Sequence, residues 1–495
     1  MDELKVLARL VTSSKRISNY LPNEKKESKE GTFLANLRNN NYADDTQAAL
    51  DLYQAQPDDV RYKMLKHRLR KKLYNRLLFM EYPKLTAGSY THKENECFQI
   101  LHHVNILLSQ HNYSIVLSLT SKILIVSEEY DLTNITIAAL ELRLRVYSEQ
   151  GLLKQFNETE AFLTIKLNQK FYERKSVTLF QFIKTLFNKS IKARKAYLHN
   201  LPNDIDKLLR FWKAADTFDS FNSFYKVSIL YYESIGEFSK IADLTVMSER
   251  LVNEGEVNIR RFDSNFNKFI LVYAHLLARK LEDGLLYAEE YLKNFNERLL
   301  NWFAYMENYF LLAIHSRRYK LAHHLISKVY HNGAYARTSN AAKERWGLYS
   351  AYLKLYYTES IPVKPGTGFF DATFSPEYSK DKQGYNVAIL ILQFIIFLKK
   401  GDKELLLYKI ESLKKYIDTH LKDAFSLRSK TFLKLLILTV TEDFNPEICK
   451  TNGEKLYQKL VQTSPPGDAY AEIEIIPYEH LWELIISILE KKIKA

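Results

Sequence analysis

Apolar residues along most of the chain recur every three or four positions, the spacing that places them on one face of a helix. From about residue 94 to residue 358 this pattern is nearly unbroken, with short polar breaks such as HNYS (111–114) and SIGE (234–237). Strict alternation of apolar and polar residues, which indicates a strand, is rare. Short breaks between helices are typical of helical hairpins packed in series. We therefore predict an all-α protein with little or no β structure.

The stretch NYFLLAIHSRRYKLAHHLI (308–326) predicts one such hairpin. NYFLLAIHS completes a first helix, RRY forms the turn and KLAHHLI belongs to the second helix. With a shift of 34 residues, four positions in the segment 283–295 correspond to positions in the segment 318–330. The positions that then correspond are Leu285 and Tyr319, Ala288 and Ala322, Leu292 and Ile326, and Phe295 and Val329.

These units resemble the tetratricopeptide repeat, which is 34 residues long. An alanine followed at +4 and +7 by larger apolar residues is similar to the second helix of that motif, and a looser match lies at NYSIVLSLTSKIL (112–124). The resemblance implies an α-solenoid of antiparallel hairpins that serves as a non-catalytic scaffold for another protein or peptide. First helices would line its groove, which implies contacts at Asn301, Tyr305, Asn308 and His315.

Changes in composition predict four regions. These are an N-terminal helical region with a basic helix (1–90), the hairpin array (91–359), an irregular linker (360–386) and a C-terminal helical region that caps the array (387–495). The linker holds three of the eleven prolines and three of the fourteen glycines, so a helix cannot persist through it.

The C-terminal region contains the longest apolar run, VAILILQFIIFL (387–398). Its twelve residues predict a buried helix, because a membrane span needs about 20. AEIEII (471–476) is the best strand candidate in the chain. Glu472 and Glu474 would share one face of that strand, with Glu479 nearby, and we interpret these carboxylates as a solvated edge rather than an acid–base pair.

The net charge of +13 permits acidic partners. RYKMLKHRLRKKLYNR (61–76) carries eight Lys or Arg residues and no acid. It is either a solvated helix face or a contact for an anionic partner, and the second interpretation makes a nucleic-acid-associated protein the alternative function. The residues proposed for that contact are Arg61, Arg68, Lys71 and Lys72.

Smaller basic clusters with aromatic residues lie at RKAYLHNLPND (194–204) and NIRRFDSNFNKF (258–269). They are compatible with base stacking or with chance proximity in a chain that is 13% aromatic.

Nothing in the sequence predicts catalysis, a metal or a cofactor. The pairs His102–His103 and His323–His324 are adjacent on helices, so their side chains point about 100° apart and cannot readily chelate one ion. Phosphate-binding loops and nucleophile motifs are absent from the sequence. Two cysteines 352 positions apart, Cys97 and Cys449, and the acidic N-terminal residues favour a cytoplasmic protein without a secretory signal.

Overall fold

The structure, a computed structural model, describes residues 1–13, 28–77, 89–357, 385–420, 427–463 and 474–494. Every regular element in these ranges is helical, which confirms the predicted all-α class there, and consecutive helices pack against one another. The chain divides into two compact units, Met1–Phe171 and Tyr172–Ala495. Most of the linker predicted at 360–386 lies outside the described residues.

The first unit contains seven complete helices and the start of an eighth. They are α1 (Asp2–Ser13), α2 (Lys29–Arg38), α3 (Asp45–Tyr53), α4 (Val60–Leu77), α5 (Ser89–Ser109), α6 (Tyr113–Glu129), α7 (Thr133–Glu149) and α8 (Leu153–Lys189). Helix α8 continues into the second unit. Helices α1 to α4 share one apolar core and α5 to α7 share another.

The second unit holds the remaining helices. They are α9 (Ile191–Tyr197), α10 (Leu201–Ala215), α11 (Phe218–Ile235), α12 (Phe238–Asn253), α13 (Ser264–Leu277), α14 (Leu281–Tyr291), α15 (Leu300–His315), α16 (Tyr319–His331), α17 (Asn340–Leu353), α18 (Asn386–Lys400), α19 (Lys403–His420), α20 (Leu427–Thr441), α21 (Pro446–Gln462) and α22 (Tyr478–Lys494). The bounds of α15 and α16 confirm the hairpin predicted at 308–326.

One type of turn recurs after nine helices: α2, α5, α6, α7, α11, α12, α13, α15 and α20. In each turn a residue adopts a left-handed conformation, and the next backbone N–H donates to the carbonyl five residues earlier at 2.8–3.0 Å. This geometry is a Schellman helix end. The left-handed residues are Asn40, His111, Asp131, Gly151, Gly236, Gly255, Arg279, Arg317 and Asp443. The same closing turn therefore joins helix pairs in both units.

Two helices carry most of the apolar surface in the centre of the second unit. Ten of the fifteen residues of α18 are buried, which confirms that the run 387–398 is a buried helix. Helix α15 is buried around most of its circumference, with eleven of its sixteen residues inaccessible. Among the described helices, none combines the length and the apolar content needed to cross a bilayer.

Three buried tyrosines join neighbouring helices through their hydroxyl groups. Each hydroxyl donates to a backbone carbonyl: Tyr305 to Ala288 at 2.8 Å, Tyr330 to Trp346 at 2.9 Å and Tyr352 to Ala388 at 2.6 Å. A buried phenol needs such a partner, because an unpaired hydroxyl in an apolar core costs about 1–3 kcal/mol. These bonds fix neighbouring helices against one another from α14 to α18.

Candidate functional site

The structure places the four predicted groove residues of α15 in different environments. Asn301 is exposed at the start of the helix. Tyr305 is fully buried, with its ring stacked on Phe295 at 4.0 Å. Asn308 is 9% exposed. His315 lies near the end of the helix with its Nε2 atom 2.9 Å from the carbonyl oxygen of Glu474.

Asn301 is therefore the one residue of these four that an outside partner can readily reach. The reason is that α15 is apolar on nearly all sides, and a helix of that kind is enclosed by its neighbours. The apolar residues that surround its axis include Trp302, Phe303, Met306, Phe310 and Leu311. Around this hairpin the accessible positions lie instead on the second helices, for example Leu286 of α14 and His324 of α16.

The predicted anionic contacts on α4 also separate into two pairs. Arg61 is bound to Asp59 at 2.8 Å, and Lys72 is bound to Glu30 at 2.7 Å. The guanidinium of Arg61, with backbone N–H donors at the start of α4, lowers the pKa of Asp59 to about 2. These two cations already have carboxylate partners within the protein.

Arg68 and Lys71, the other two predicted contacts, remain exposed and have no ion pair with any described residue. The same is true of Lys63, whereas Lys66 and Arg70 pair with Asp45 and Glu3. The buried stripe consists of Tyr62, Leu65, Leu69 and Leu73. Helical geometry places Lys71 opposite this stripe and Arg68 at its side, about 100° from its centre. The outer face of α4 thus keeps uncompensated positive charge.

An open cleft of about 430 Å³ lies between the hairpin turns of the first unit. The turn from α5 to α6, the end of α7 and the start of α8 form its walls. Its lining combines apolar and polar side chains: Leu108, His111, Tyr113, Leu144, Arg145, Ser148, Glu149 and Phe156. The Nδ1 atom of His111 lies 2.8 Å from the hydroxyl of Tyr113, which orients both rings at the edge of the cleft. A cleft of this size and polarity can accommodate one or two side chains of a bound peptide.

A cluster of charges that the sequence analysis did not anticipate surrounds Arg428 in α20. The side chain of Arg428 is only 2% exposed. Its Nε and Nη2 atoms bind Glu474 at 2.5 and 2.9 Å, and Nη2 also binds Glu479 at 2.9 Å. Its Nη1 atom donates to the carbonyls of Leu460 and Thr463, both at 2.6 Å. All five guanidinium N–H groups therefore have acceptors.

A second arginine and two histidines complete the Arg428 cluster. Arg279, the left-handed residue between α13 and α14, binds Glu479 at 3.1 Å. Burial, followed by the charge of Arg279, lowers the pKa of His315 to about 4. Burial also lowers the pKa of His480. Burial raises the pKa of Glu479, but the charge and hydrogen bonds of Arg428 together with the charge of Arg279 outweigh it, and the net shift is downward.

The interpretation of Glu474 and Glu479 as a solvated edge is therefore wrong. Both carboxylates are 11% exposed and are held by Arg428. The segment 474–476 has no strand conformation, and the rest of the predicted strand, with Glu472, lies outside the described residues. Because the donors of Arg428 are all used internally, the cluster acts as a clamp between α15, α20, α21 and the start of α22. Arg428 therefore has no N–H group left to donate to a ligand.

Within the described part of the chain, no group of three or more His, Cys, Asp or Glu side chains is arranged to hold a metal ion. The rings of His102 and His103 lie 6.2 Å apart, and His323 packs against Tyr357 at 5.1 Å.

No protein-family model matches the chain, and no curated protein or solved structure is similar to it.

Proposed function

We propose that this chain is a non-catalytic scaffold, built as an α-solenoid of hairpins that resembles tetratricopeptide proteins, and that it binds another protein or a peptide. The observation that carries the proposal is the recurrence of one Schellman turn after nine helices in the two units. Identical turns between packed helices are what a repeated hairpin requires.

The two segments related by the 34-residue shift add support. Ala288 and Ala322 are both completely buried, and both allow a neighbouring helix to approach closely. Phe295 and Val329, the corresponding larger residues, are also buried. Burial therefore agrees at these two pairs, as expected for copies of one structural unit. At the other two pairs it differs, because Leu285 and Ile326 are buried while their counterparts Tyr319 and Leu292 are partly exposed.

The polar clusters of the second unit favour a structural role over a catalytic one. Every guanidinium N–H group of Arg428 donates to an acceptor within the protein. Glu307 accepts from Tyr349 at 2.6 Å and from Arg345 at 3.0 Å, so it too is held by neighbouring helices. Both cysteines are buried free thiols, which fits our further proposal that the protein works in the reducing cytoplasm.

Two places are the best candidates for partner contact. The first is the 430 Å³ cleft of the first unit, with Arg145 and Glu149 beside apolar Leu144. The second is the start of α15, where Asn301 is exposed beside Leu300, which is 60% exposed. A peptide that presents an apolar side chain next to a charge would fit either place.

The test is cross-linking of the tagged full-length chain in its native cells, followed by mass spectrometry. We expect a partner in stoichiometric amount, with cross-links near one of the two places. Filling the cleft with Ser148→Trp, or blocking the start of α15 with Asn301→Trp, should reduce recovery of that partner at least tenfold. Asn253→Trp, at an exposed position of α12, is the matched control and should leave recovery unchanged.

Recovery of no protein above an untagged control, or equal loss with all three variants, would contradict the scaffold proposal.

A second candidate function, association with an anionic partner such as nucleic acid, rests on the outer face of α4. Arg68 and Lys71 supply the uncompensated charge there. Arg68→Gln together with Lys71→Gln should lower the salt concentration at which the chain elutes from a polyanion column. Retention equal to that of the unmodified chain would remove α4 from consideration.

A further inference from the structure

The segment 174–203, RKSVTLFQFIKTLFNKSIKARKAYLHNLPN, carries seven Lys or Arg residues and no acidic residue. It forms the second half of α8, the whole of α9, a short 3-10 turn and the start of α10. All of it belongs to the second unit.

The carboxylates that border this segment do not offset its charge at the surface. Glu173 is 2% exposed and Asp204 is 3% exposed. Asp204 accepts from the hydroxyl of Tyr197 at 2.6 Å and from Lys207 at 2.9 Å. The acids that precede and follow the segment are thus inside the protein, while its lysines lie outside.

One face of α8 carries six exposed residues of this segment in a stripe. At 100° per residue they fall within about 100° of the helix circumference, and at 1.5 Å per residue they extend over about 22 Å. The members of this stripe are Arg174, Lys175, Thr178, Phe182, Thr185 and Lys189, and all six are exposed.

The opposite face of α8 fixes the direction in which the stripe points. Ile183 is 1% exposed and Phe187 is 6% exposed within the core of the second unit. The hydroxyl of Ser176 donates to the backbone carbonyl of Ser220 in α11 at 3.3 Å. Because these contacts hold α8 against α11, the stripe is presented outward on a rigid element.

An aromatic ring lies among the cations. Phe182 is 49% exposed, and its ring makes a T-shaped contact with Tyr197 at 5.6 Å. The bond from Tyr197 to Asp204 fixes the tyrosine, which in turn supports the phenylalanine. A half-exposed, supported ring between cations is the arrangement on which nucleic-acid bases stack.

We propose that this α8 stripe binds single-stranded nucleic acid without sequence preference. The cations near each end would contact phosphates, the hydroxyl of Thr178 would donate to a phosphate oxygen, and Phe182 would stack on a base. A length of about 22 Å suits a site of roughly four nucleotides, the lower end of the range for such surfaces. An acidic peptide would use the cations equally well but has no flat base to place on Phe182, which is why nucleic acid is the better fit.

Fluorescence anisotropy with a labelled oligouridylate of about twelve nucleotides tests the charge contribution. Replacing Arg174 and Lys189 by Gln removes two phosphate contacts. Each contact adds about 0.7 to the slope of log affinity against log salt for single strands, so the slope should fall by about 1.4. Lys240→Gln with Lys293→Gln changes the net charge equally at exposed positions elsewhere in the unit and should leave the slope unchanged.

The stacking contribution is tested separately at Phe182. Phe182→Ala should weaken binding about tenfold, since one stacked base contributes within that range, without changing the salt slope. Phe182→Trp keeps a stacking surface and should bind at least as tightly as the unmodified chain. Because residue 182 is half exposed, neither change should alter the melting temperature by more than a few degrees.

Three results would overturn the proposal. These are no binding at low salt, the same fall in the salt slope with the Lys240 and Lys293 control, and equal affinity for polyglutamate of matched length. The last result would assign the stripe to an acidic protein. Arg68→Gln with Lys71→Gln separates this site from α4, because binding through the α8 stripe should survive that change. The result does not depend on whether the scaffold proposal holds.

Discussion

The outer face of α4 and the Arg428 cluster both bring arginines near carboxylates, but they differ in exposure. Arg61 and Lys72 of α4 pair with acids while their side chains stay 66% and 49% exposed. Arg428 pairs with Glu474 and Glu479 while 2% exposed. Water screens the first kind of pair and is nearly excluded from the second.

This difference shows that charge density along a sequence does not locate the charges on which a fold depends. Of the eight basic residues in sixteen positions of α4, four pair with described carboxylates, and such exposed pairs contribute little individually. One arginine within an apolar helix connects four segments of the second unit. A buried pair is not strongly stabilising in itself, but the loss of one partner leaves an uncompensated charge inside the protein.

The largest effect is therefore expected for Arg428→Met. It removes the closest cation from the buried carboxylates Glu474 and Glu479 and leaves them the partly exposed Arg279, and we expect the second unit to lose about 3–5 kcal/mol of stability. All four tryptophans, Trp212, Trp302, Trp346 and Trp482, lie in that unit, so tryptophan fluorescence during urea unfolding reports on it alone.

The matched control for this change is Arg250→Met, at a pair that is exposed, and it should cost less than about 0.5 kcal/mol. Adding Glu474→Gln and Glu479→Gln to Arg428→Met should recover much of the loss, because no charge is then stranded. Equal stability of Arg428→Met and Arg250→Met would show that the clamp is unimportant.

The pH dependence of the second unit should be the next largest effect. His315 has a folded-state pKa of about 4, below its ordinary value near 6.5, so the unfolded chain takes up a proton first as the pH falls. Stability should decrease between pH 6.5 and pH 4 by up to about 3 kcal/mol from this residue. His315→Gln should flatten that part of the pH profile, measured by tryptophan fluorescence.

The replacement of exposed His324 by Gln is the control for His315 and should keep the original profile. His480, whose pKa burial also lowers, should account for part of the slope that remains in His315→Gln. A profile that His315→Gln does not change would place the pH sensitivity elsewhere.

The loss of a buried hydrogen bond between uncharged groups should affect stability less than the changes at Arg428 and His315. Tyr352→Phe removes the hydroxyl that donates to the carbonyl of Ala388 and should cost about 1 kcal/mol. Tyr408→Phe, where the side chain is 75% exposed, should be neutral. Urea midpoints of the two variants would test this, and a loss above about 3 kcal/mol for Tyr352→Phe would mean that the hydroxyl supports more than one bond.

The smallest effect is expected on α4 itself. Lys72→Met breaks the pair with Glu30 and should change the stability of the first unit by less than about 1 kcal/mol. Arg68→Gln, which has no pair among the described residues to lose, should be neutral. Hydrogen exchange of peptides from α2 and α4 measures the stability of both variants. A loss of stability near that of Arg428→Met would show that α4 and the Arg428 cluster do not differ in this respect.

Helical periodicity was sufficient to predict the all-α class, the hairpin of α15 and α16, and the burial of α18. It did not predict which face of α15 is accessible. The signal was present, because Trp302, Phe303 and Met306 surround the helix axis and leave little room for a polar face. Tyr305 and His315 were placed in a groove because their polar atoms were weighed above that apolar circumference.

The Arg428 cluster could not be assembled from the sequence. Its carboxylates lie 46 and 51 residues from the arginine, and no local pattern links them. A partial signal does exist, because Arg428 lies in helical register with buried Phe432 and Leu435. A single arginine in an apolar stripe indicates a buried partner but does not identify it. The recurrent turns also could not be predicted from the sequence, because residues other than glycine occupy most of the left-handed positions.

The tyrosine hydroxyls that bind helix carbonyls have a consequence in strong base. Burial raises the pKa of Tyr305 and, well above its usual value, that of Tyr352. An unfolded chain would ionise its phenols near pH 10, so alkali should favour unfolding only above that value. Phenolate absorbance from these two rings should then rise in one abrupt step as the helices separate.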